Sequence, residues 1–248
     1  MFHDLGDILV LWWRVLCALP SCWHHRRKIF EQFFEIGNAS LLMACVLSLF
    51  IGGVLALQTG PVLSERGLSN LIGSVVGISM CKELAPVMMA VLIAGRIGSS
   101  MAAEIGSMEV YQEIDALKTM NIDPVKYLVL PRMLAISCAL PMLVVFSILV
   151  GWVGGGLVSA FNREIHLTFT AFFNNLAEFI EVKHVANGIL KSFIFAVMIG
   201  LICCHQGLKT IGGPRGIGRS VTKAVVNSLF CILLLDYFLT RLLLLLDL

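Results

Sequence analysis

Apolar residues gather in five runs along the chain, roughly 36–58, 68–103, 133–160, 184–204 and 224–246, each near or above the ~20 residues that a helix needs to cross a bilayer. None shows the alternation of a barrel strand, and backbone groups inside a bilayer must be satisfied within their own segment, so the runs predict transmembrane helices. The first 20 residues follow another pattern. Leu5, Ile8, Leu9, Trp12, Val15, Leu16 and Leu19 recur at helical spacing, Asp4, Asp7 and Arg14 interrupt them, and the basic cluster His24-His25-Arg26-Arg27-Lys28 follows. This predicts an amphipathic helix lying on the membrane. Residues 1–30 thus read as an interfacial segment ahead of one five-span domain over 31–248. A secretion signal would carry its positive charge before the apolar stretch rather than after it.

Composition agrees with the pattern. The chain is 58% hydrophobic and 14% charged, with mean hydropathy +0.90, whereas soluble domains are about half apolar and about a quarter charged. The expectation is an all-α polytopic membrane protein. Its eight cysteines fall mostly inside apolar runs without CxxC spacing, which predicts small buried hydrophobes rather than a zinc site or a disulfide framework. With the N-terminus inside, Arg14, Arg26, Arg27, Lys28, Lys118, Lys126, Arg132, Lys209, Arg215, Arg219 and Lys223 collect on the cytoplasmic side against Arg66, Arg163 and Lys183 outside. Five crossings then leave the C-terminus on the outer, periplasmic side. The basic residues carry no interleaved aromatics, which argues against a nucleic-acid partner.

Three connecting segments stand out. Over 104–130, Ile105, Met108, Val110, Ile114, Leu117 and Met120 mix with Glu104, Glu109, Glu113, Asp115 and Lys118 at helical spacing, and Asn121 and Pro124 supply a stop. A short helix that docks on a partner is expected, with a solvated connector as the alternative. On the outer side, Phe169, Phe172, Phe173, Leu176, Phe179 and Ile180 face away from Asn174, Asn175, Glu178 and Glu181, as in an amphipathic helix lying at the outer interface. Residues Gly213 to Ser220 have the spacing of a P-loop with Arg219 in place of Lys. A P-loop needs a preceding strand and a nucleotide domain around it, so a glycine-rich turn opening the last span is the expectation here. The chain then carries no motor and no cofactor of its own, and any ATP is hydrolysed by a partner.

Ionisable residues inside spans are functional candidates. Counting from an inner boundary near Ala103, Glu83 stands about 30 Å away and Arg96 about 10 Å, which puts Lys82 and Glu83 near the outer face. Pro86 predicts a kink that lets 68–82 tilt and line an outward-facing cavity with Leu71, Val75, Val76 and Ile78, the Lys82–Glu83 step forming its wall. Snorkelling of both charges to the interface is the alternative. Lys191 and Asp236 both sit about 10–15 Å deep and read as a structural ion pair, or as part of a proton relay. Gly73, Gly77, Gly151, Gly154, Gly155 and Gly156 offer faces for close helix packing, either within a subunit or between two.

KELAPVMMAVLIAGRIGSSMAAEIGSM (82–108), EVYQEIDALKTMNIDPVKYLVLPR (109–132) and CHQGLKTIGGPRGIGRSVTKAVVNS (204–228) together resemble the MlaE-type permeases of MCE-system lipid ABC transporters, over nearly the whole chain from about residue 30. The resemblance implies a homodimeric permease in the inner membrane, served by a cytoplasmic ABC ATPase and a periplasmic MCE-domain protein, with phospholipid or a related lipid as cargo. It matches Lys82 and Glu83 to a basic residue and a Glu of the family, and these two, with Leu71, Val75, Val76 and Ile78 of the kinked stretch, are the substrate-binding candidates. It also matches the helix around Glu109–Leu117 to a coupling helix, with Glu104, Met108, Glu109, Glu113, Asp115 and Leu117 as its contacts. Lys82 stands where Arg is common in the family, which keeps the charge but loses bidentate phosphate recognition. No catalytic constellation is present, so an enzyme is not expected. The alternative function is an ion- or proton-coupled secondary transporter using Lys82, Glu83, Lys191 and Asp236.

Overall fold

A computed structural model describes residues 2–20, 26–162, 165 and 167–245. Cys22, His24, His25 and Arg163 lie outside them. Helix α1 (Phe2–Ala18) precedes α2 (Arg26–Glu65). The next span is continuous over Ser69–Val110 and contains a short 3-10 turn, α3 (Ile72–Ser79), a π turn at Met80–Leu84, α4 (Ala85–Ile93), a second π turn at Ala94–Gly98, and α5 (Ser99–Val110). The short α6 (Glu113–Thr119) and a third π turn at Val125–Val129 lead into α7 (Leu130–Phe161), followed by α8 (Phe169–Phe179), α9 (Val182–Leu208) and α10 (Gly213–Leu245). Among the described residues there is no strand. Five helical segments are long and apolar enough to cross a membrane, as the hydropathy pattern predicts.

Their ends overrun the apolar runs. The first begins at Arg26 instead of near 36, and the last at Gly213 instead of near 224. Hydropathy marks only the stretch that must avoid water, while the i to i−4 ladder continues into polar ends whose remaining groups solvent can satisfy. Gly212 and Gly213 take φ of 96° and 70°, so the P-loop look-alike is the turn and first turns of α10. Pro86 acts through the π turn just ahead of it. Its ring crowds the preceding turn and its nitrogen cannot donate, and a widened turn there accommodates both effects.

The segment over 104–120 is two helices rather than one. Helix α5 carries Glu104, Met108 and Glu109, the chain reverses through Gln112 at φ 61°, and α6 carries Glu113, Asp115 and Leu117. Burial of Ile114, at 2% exposure, favours this break because it turns α6 back onto its own unit. Asn121 ends α6 as expected. At φ 59° it closes a Schellman motif, in which the amides of Asn121 and Ile122 donate to the carbonyls of Lys118 and Leu117 at 3.0 and 2.9 Å.

The chain packs as two compact units. The first comprises Met1–Ala39, Ala90–Leu140 and Phe193–Tyr237, the second Ser40–Met89, Pro141–Ser192 and Phe238–Leu248. In the first, α1 packs on the Val125–Val129 π turn and buries Leu11, Val15 and Ala18. Leu9, Val10 and Trp13 remain exposed on it, as an interfacial helix requires on its lipid side. Lys209 donates to the carboxylate of Asp7 and ties α1 to α9's end. Gly98 lies against Ile199 and Cys203, and Gly106 against Thr210.

The second unit is built on the predicted small-residue faces, which serve packing within the subunit. A Cβ on Gly154 would run into the Leu49 carbonyl, and one on Gly52 into the Gly151 carbonyl, so α2 and α7 touch backbone to backbone. Close approach of this kind replaces the hydrophobic drive that lipid removes. Ser48 and Ser147 hydroxyls meet at 2.6 Å in the same seam. Gly73 and Gly77 open a groove on α3 that takes Phe172 and Leu176 of α8. The predicted outer amphipathic helix therefore turns its central aromatic face onto protein. Three cysteines, Cys81, Cys203 and Cys204, are buried as expected, whereas Cys17 and Cys138 are exposed.

The glycine contacts differ enough to be tested against each other. Gly154→Ala should lower thermal stability in detergent by about 1–3 kcal/mol through overpacking. Gly37→Ala, which meets nothing within 4 Å, should leave stability unchanged or raise it by up to about 1 kcal/mol. Equal melting of the two variants would contradict backbone contact between α2 and α7.

Candidate functional site

Within the second unit, the proline decides where a buried charge sits. Pro86 cannot donate to the Lys82 carbonyl four residues earlier, which leaves that oxygen available. The Lys191 ammonium donates to it at 3.0 Å. The same ammonium donates to Glu83 Oε1 at 2.9 Å and to Thr240 Oγ1 at 2.7 Å. A lysine ammonium has three N–H donors, and these three oxygens are among its partners. The Thr240 hydroxyl in turn donates to Glu83 Oε1 at 3.0 Å. The Lys191 side chain is only 2% exposed and that of Glu83 39%. Gly188, one turn before Lys191, makes the reach possible: a Cβ there would meet the Cys81 carbonyl and the Pro86 ring, so α9 lies directly on the π turn.

Lys82 faces the same place. With Asn187, Leu243 and Leu244 it joins the cluster in lining a pocket of about 30 Å³, which is room on the scale of a single water. Among the described residues no side-chain oxygen accepts from its ammonium. Leu71, Val75, Ile78 and Lys82 follow one another at intervals of four, three and four, the spacing of a single helix face. Val75 is exposed and Leu71 and Ile78 are half-buried. Val76 departs from this set: it is fully buried beside Gly155 and packs the unit instead of lining an open surface.

The sequence put Lys82 and Glu83 side by side at a cavity wall and paired Lys191 with Asp236. The structure joins Glu83 to Lys191, while Asp236 lies one helical turn before Thr240 on α10. Thr240, Asn187 and Gly188 escaped sequence reasoning. Their only signal was a hydroxyl in an apolar run four residues after Asp236, and a glycine and an amide one turn before a buried lysine.

In the first unit, Arg132 Nη2 meets Glu104 Oε2 at 2.9 Å. Arg96, in the second π turn, donates to the Ala39 carbonyl. Of the docking candidates, Glu104, Glu113 and Asp115 are exposed, and Met108, Glu109 and Leu117 are half-buried. Helix α6 is anchored by Ile114 and presents Glu113 and Asp115 in its first turn, where the helix dipole favours acids. Asp115 accepts from Lys118 at 2.8 Å, and this hydrogen bond holds the Lys118 ammonium above the usual lysine pKa.

A family model described as Permease MlaE matches residues 29–242. A probable ABC transporter permease protein of Synechocystis sp. is 40% identical over 216 residues, covering 87% of this chain and 81% of that one. A second such protein, from Rickettsia typhi, is 38% identical over 215 residues, covering 87% and 82%. The Arabidopsis thaliana protein TRIGALACTOSYLDIACYLGLYCEROL 1, chloroplastic, is 32% identical over 216 residues, covering 87% of this chain and 61% of that one. Both the lysine cluster and α6 fall inside the matched region, and α1 precedes it.

Thr240→Val keeps the side-chain shape but removes one acceptor from the Lys191 ammonium and one donor from Glu83, which should cost about 1–3 kcal/mol. Glu83→Gln removes the charge partner and should cost more, toward about 3–5 kcal/mol, with solvent at the half-open carboxylate reducing the figure. Thr240→Ser should be close to the parent. Melting in detergent reads all three, and a parental midpoint for both Thr240→Val and Glu83→Gln would remove the cluster's structural role.

Proposed function

Since the chain belongs to the MlaE permease family and is a membrane subunit of an ABC transporter, we propose that its cargo is phospholipid or a related lipid, passed between the inner membrane and an MCE-domain partner. The observation that carries this reading is the stripe of Leu71, Val75 and Ile78 ending at Lys82 on one helix face. An amphiphile needs an apolar surface for its chains and a charge at one end for its headgroup. An ion-coupled carrier needs charges free to change state, whereas Glu83 and Lys191 are engaged with each other and with Thr240. The name of the Arabidopsis relative is that of a galactolipid, which points the same way.

The working unit in this proposal is a homodimer. Only 17% of the most apolar stretch of α10 is buried within the subunit, against 56% for α9, and Phe230, Leu233, Leu234, Tyr237 and Phe238 stand exposed on it. A second copy and the bilayer share that surface. The basic loops support a cytoplasmic N-terminus and a periplasmic C-terminus. The partner ATPase hydrolyses ATP and docks on α6, with Glu113 and Asp115 at the contact and Glu104, Met108, Glu109 and Leu117 behind it.

Two experiments bear on this. A photo-crosslinker at Val75 or Ile78 should capture phospholipid from the assembled transporter, and the yield should change when ATP is hydrolysed. A yield indifferent to nucleotide would mean that the label reports bulk bilayer. Separately, Glu113→Lys with Asp115→Lys should reduce ATPase recovery in a pull-down at least about tenfold while leaving the detergent melting point in place, because reversal of a rim charge costs association more than folding. Undiminished ATPase recovery would move the docking site away from α6.

A further inference from the structure

We propose that the first unit holds a second binding site, for the phosphate of a lipid headgroup or of another phosphate ester, where the start of α2 faces the turn that leads into α7. A pocket of about 250 Å³ lies there, lined by Lys28, Glu31, Gln32, Tyr127 and Arg132 over an apolar floor of Leu128 and Pro131. It shares no residue with the pocket at Lys82, and it does not depend on the cargo proposed above.

The charges of this pocket are unevenly engaged. The Arg132 side chain is 12% exposed and gives Nη2 to Glu104 at 2.9 Å. Its Nη1 is buried without a hydrogen-bond partner among the described residues. The Lys28 ammonium lies 3.3 Å from the centroid of the Tyr127 ring, and among the described residues no oxygen accepts from it. Glu31, the carboxylate in the lining, is held by Arg27 at 3.0 Å. One cation of the pocket, Lys28, therefore lacks an oxygen acceptor and the other, Arg132, is only half engaged, while the neighbouring anion is occupied.

A buried guanidinium N–H without an acceptor is destabilising, and phosphate is the group that best corrects it. Its oxygens can take the compact charge of Lys28 on one edge and, once the Arg132 side chain turns its covered Nη1 toward the pocket, the second arm of the guanidinium fork on another. The Gln32 amide supplies a neutral donor for a third oxygen. The volume admits a phosphate with a short ester arm, and the floor of Leu128 and Pro131 suits the carbon side of such an ester. A carboxylate would serve the two cations but leave Gln32 and the remaining space unused.

The test uses the full chain in a neutral detergent, in a Lys82→Ala background so that the second unit's pocket does not contribute. Inorganic phosphate, glycerol 3-phosphate and dioctanoyl-phosphatidylglycerol are titrated in turn by calorimetry. Saturable binding is expected, with Lys28→Ala weakening it about tenfold, the loss of one charge-assisted hydrogen bond. Arg132→Lys, which keeps charge but removes the fork, should weaken it comparably. Tighter binding of the short-chain lipid than of the two soluble phosphates would identify a headgroup as the source, and equal binding a free phosphate ester. If no probe binds, or if Lys28→Ala retains the parental affinity, the site does not exist.

Discussion

A lysine ammonium withdrawn from water has to find an oxygen for each of its protons, and the second unit is organised around that demand at Lys191. The three oxygens come from different sources: a carbonyl left free by a proline, a carboxylate beside it, and a hydroxyl from a distant helix. Each requires the backbone to be in a particular place. The π turn at Met80–Leu84 presents the first two, Gly188 lets α9 lie against that turn, and the end of α10 must come close enough for Thr240 to reach both the ammonium and Glu83. Removing any one leaves a buried charge short of a partner, so the cluster favours a single arrangement of these three helices.

The same logic of close approach runs through the rest of the unit. In lipid there is little hydrophobic gain from bringing two apolar helices together, and contact must come from backbone proximity and small polar bridges. The seam of Gly52, Gly151 and Gly154, with the Ser48–Ser147 hydrogen bond, meets that condition between α2 and α7. The aromatic face of α8 fills the groove left by Gly73 and Gly77. Glycines that look available for a dimer contact in the sequence are thus already occupied within the subunit.

Charge in the first unit serves a different end. There Glu113 and Asp115 stand exposed at the head of α6, and Lys28 and the largely covered Arg132 line a pocket. The π turns occur at Lys82–Glu83, at Arg96 and at Lys126, so each place where the helical ladder loosens also carries a charged residue. A loosened turn leaves carbonyls and side chains free to bind outside the helix, as Lys82 does for Lys191.

The apolar runs alone determined that the chain is helical and crosses a membrane five times, because a bilayer admits few solutions and their length is readable from composition. The stop at Asn121 and the family resemblance were equally legible, since each is local and written in consecutive residues. The helix ends were not, because hydropathy does not report where polar turns continue the ladder. The break at Gln112 was hidden as well, since an amphipathic run of charges does not say at which residue the chain turns through the left-handed region. Above all, only the tertiary structure decided that Glu83 belongs to Lys191. Residues 83, 191 and 240 are separated by more than a hundred and by about fifty positions along the chain, and their pairing depends on a carbonyl freed by Pro86 and on a missing side chain at Gly188. Neither an absent proton nor an absent Cβ has a partner that the sequence could name.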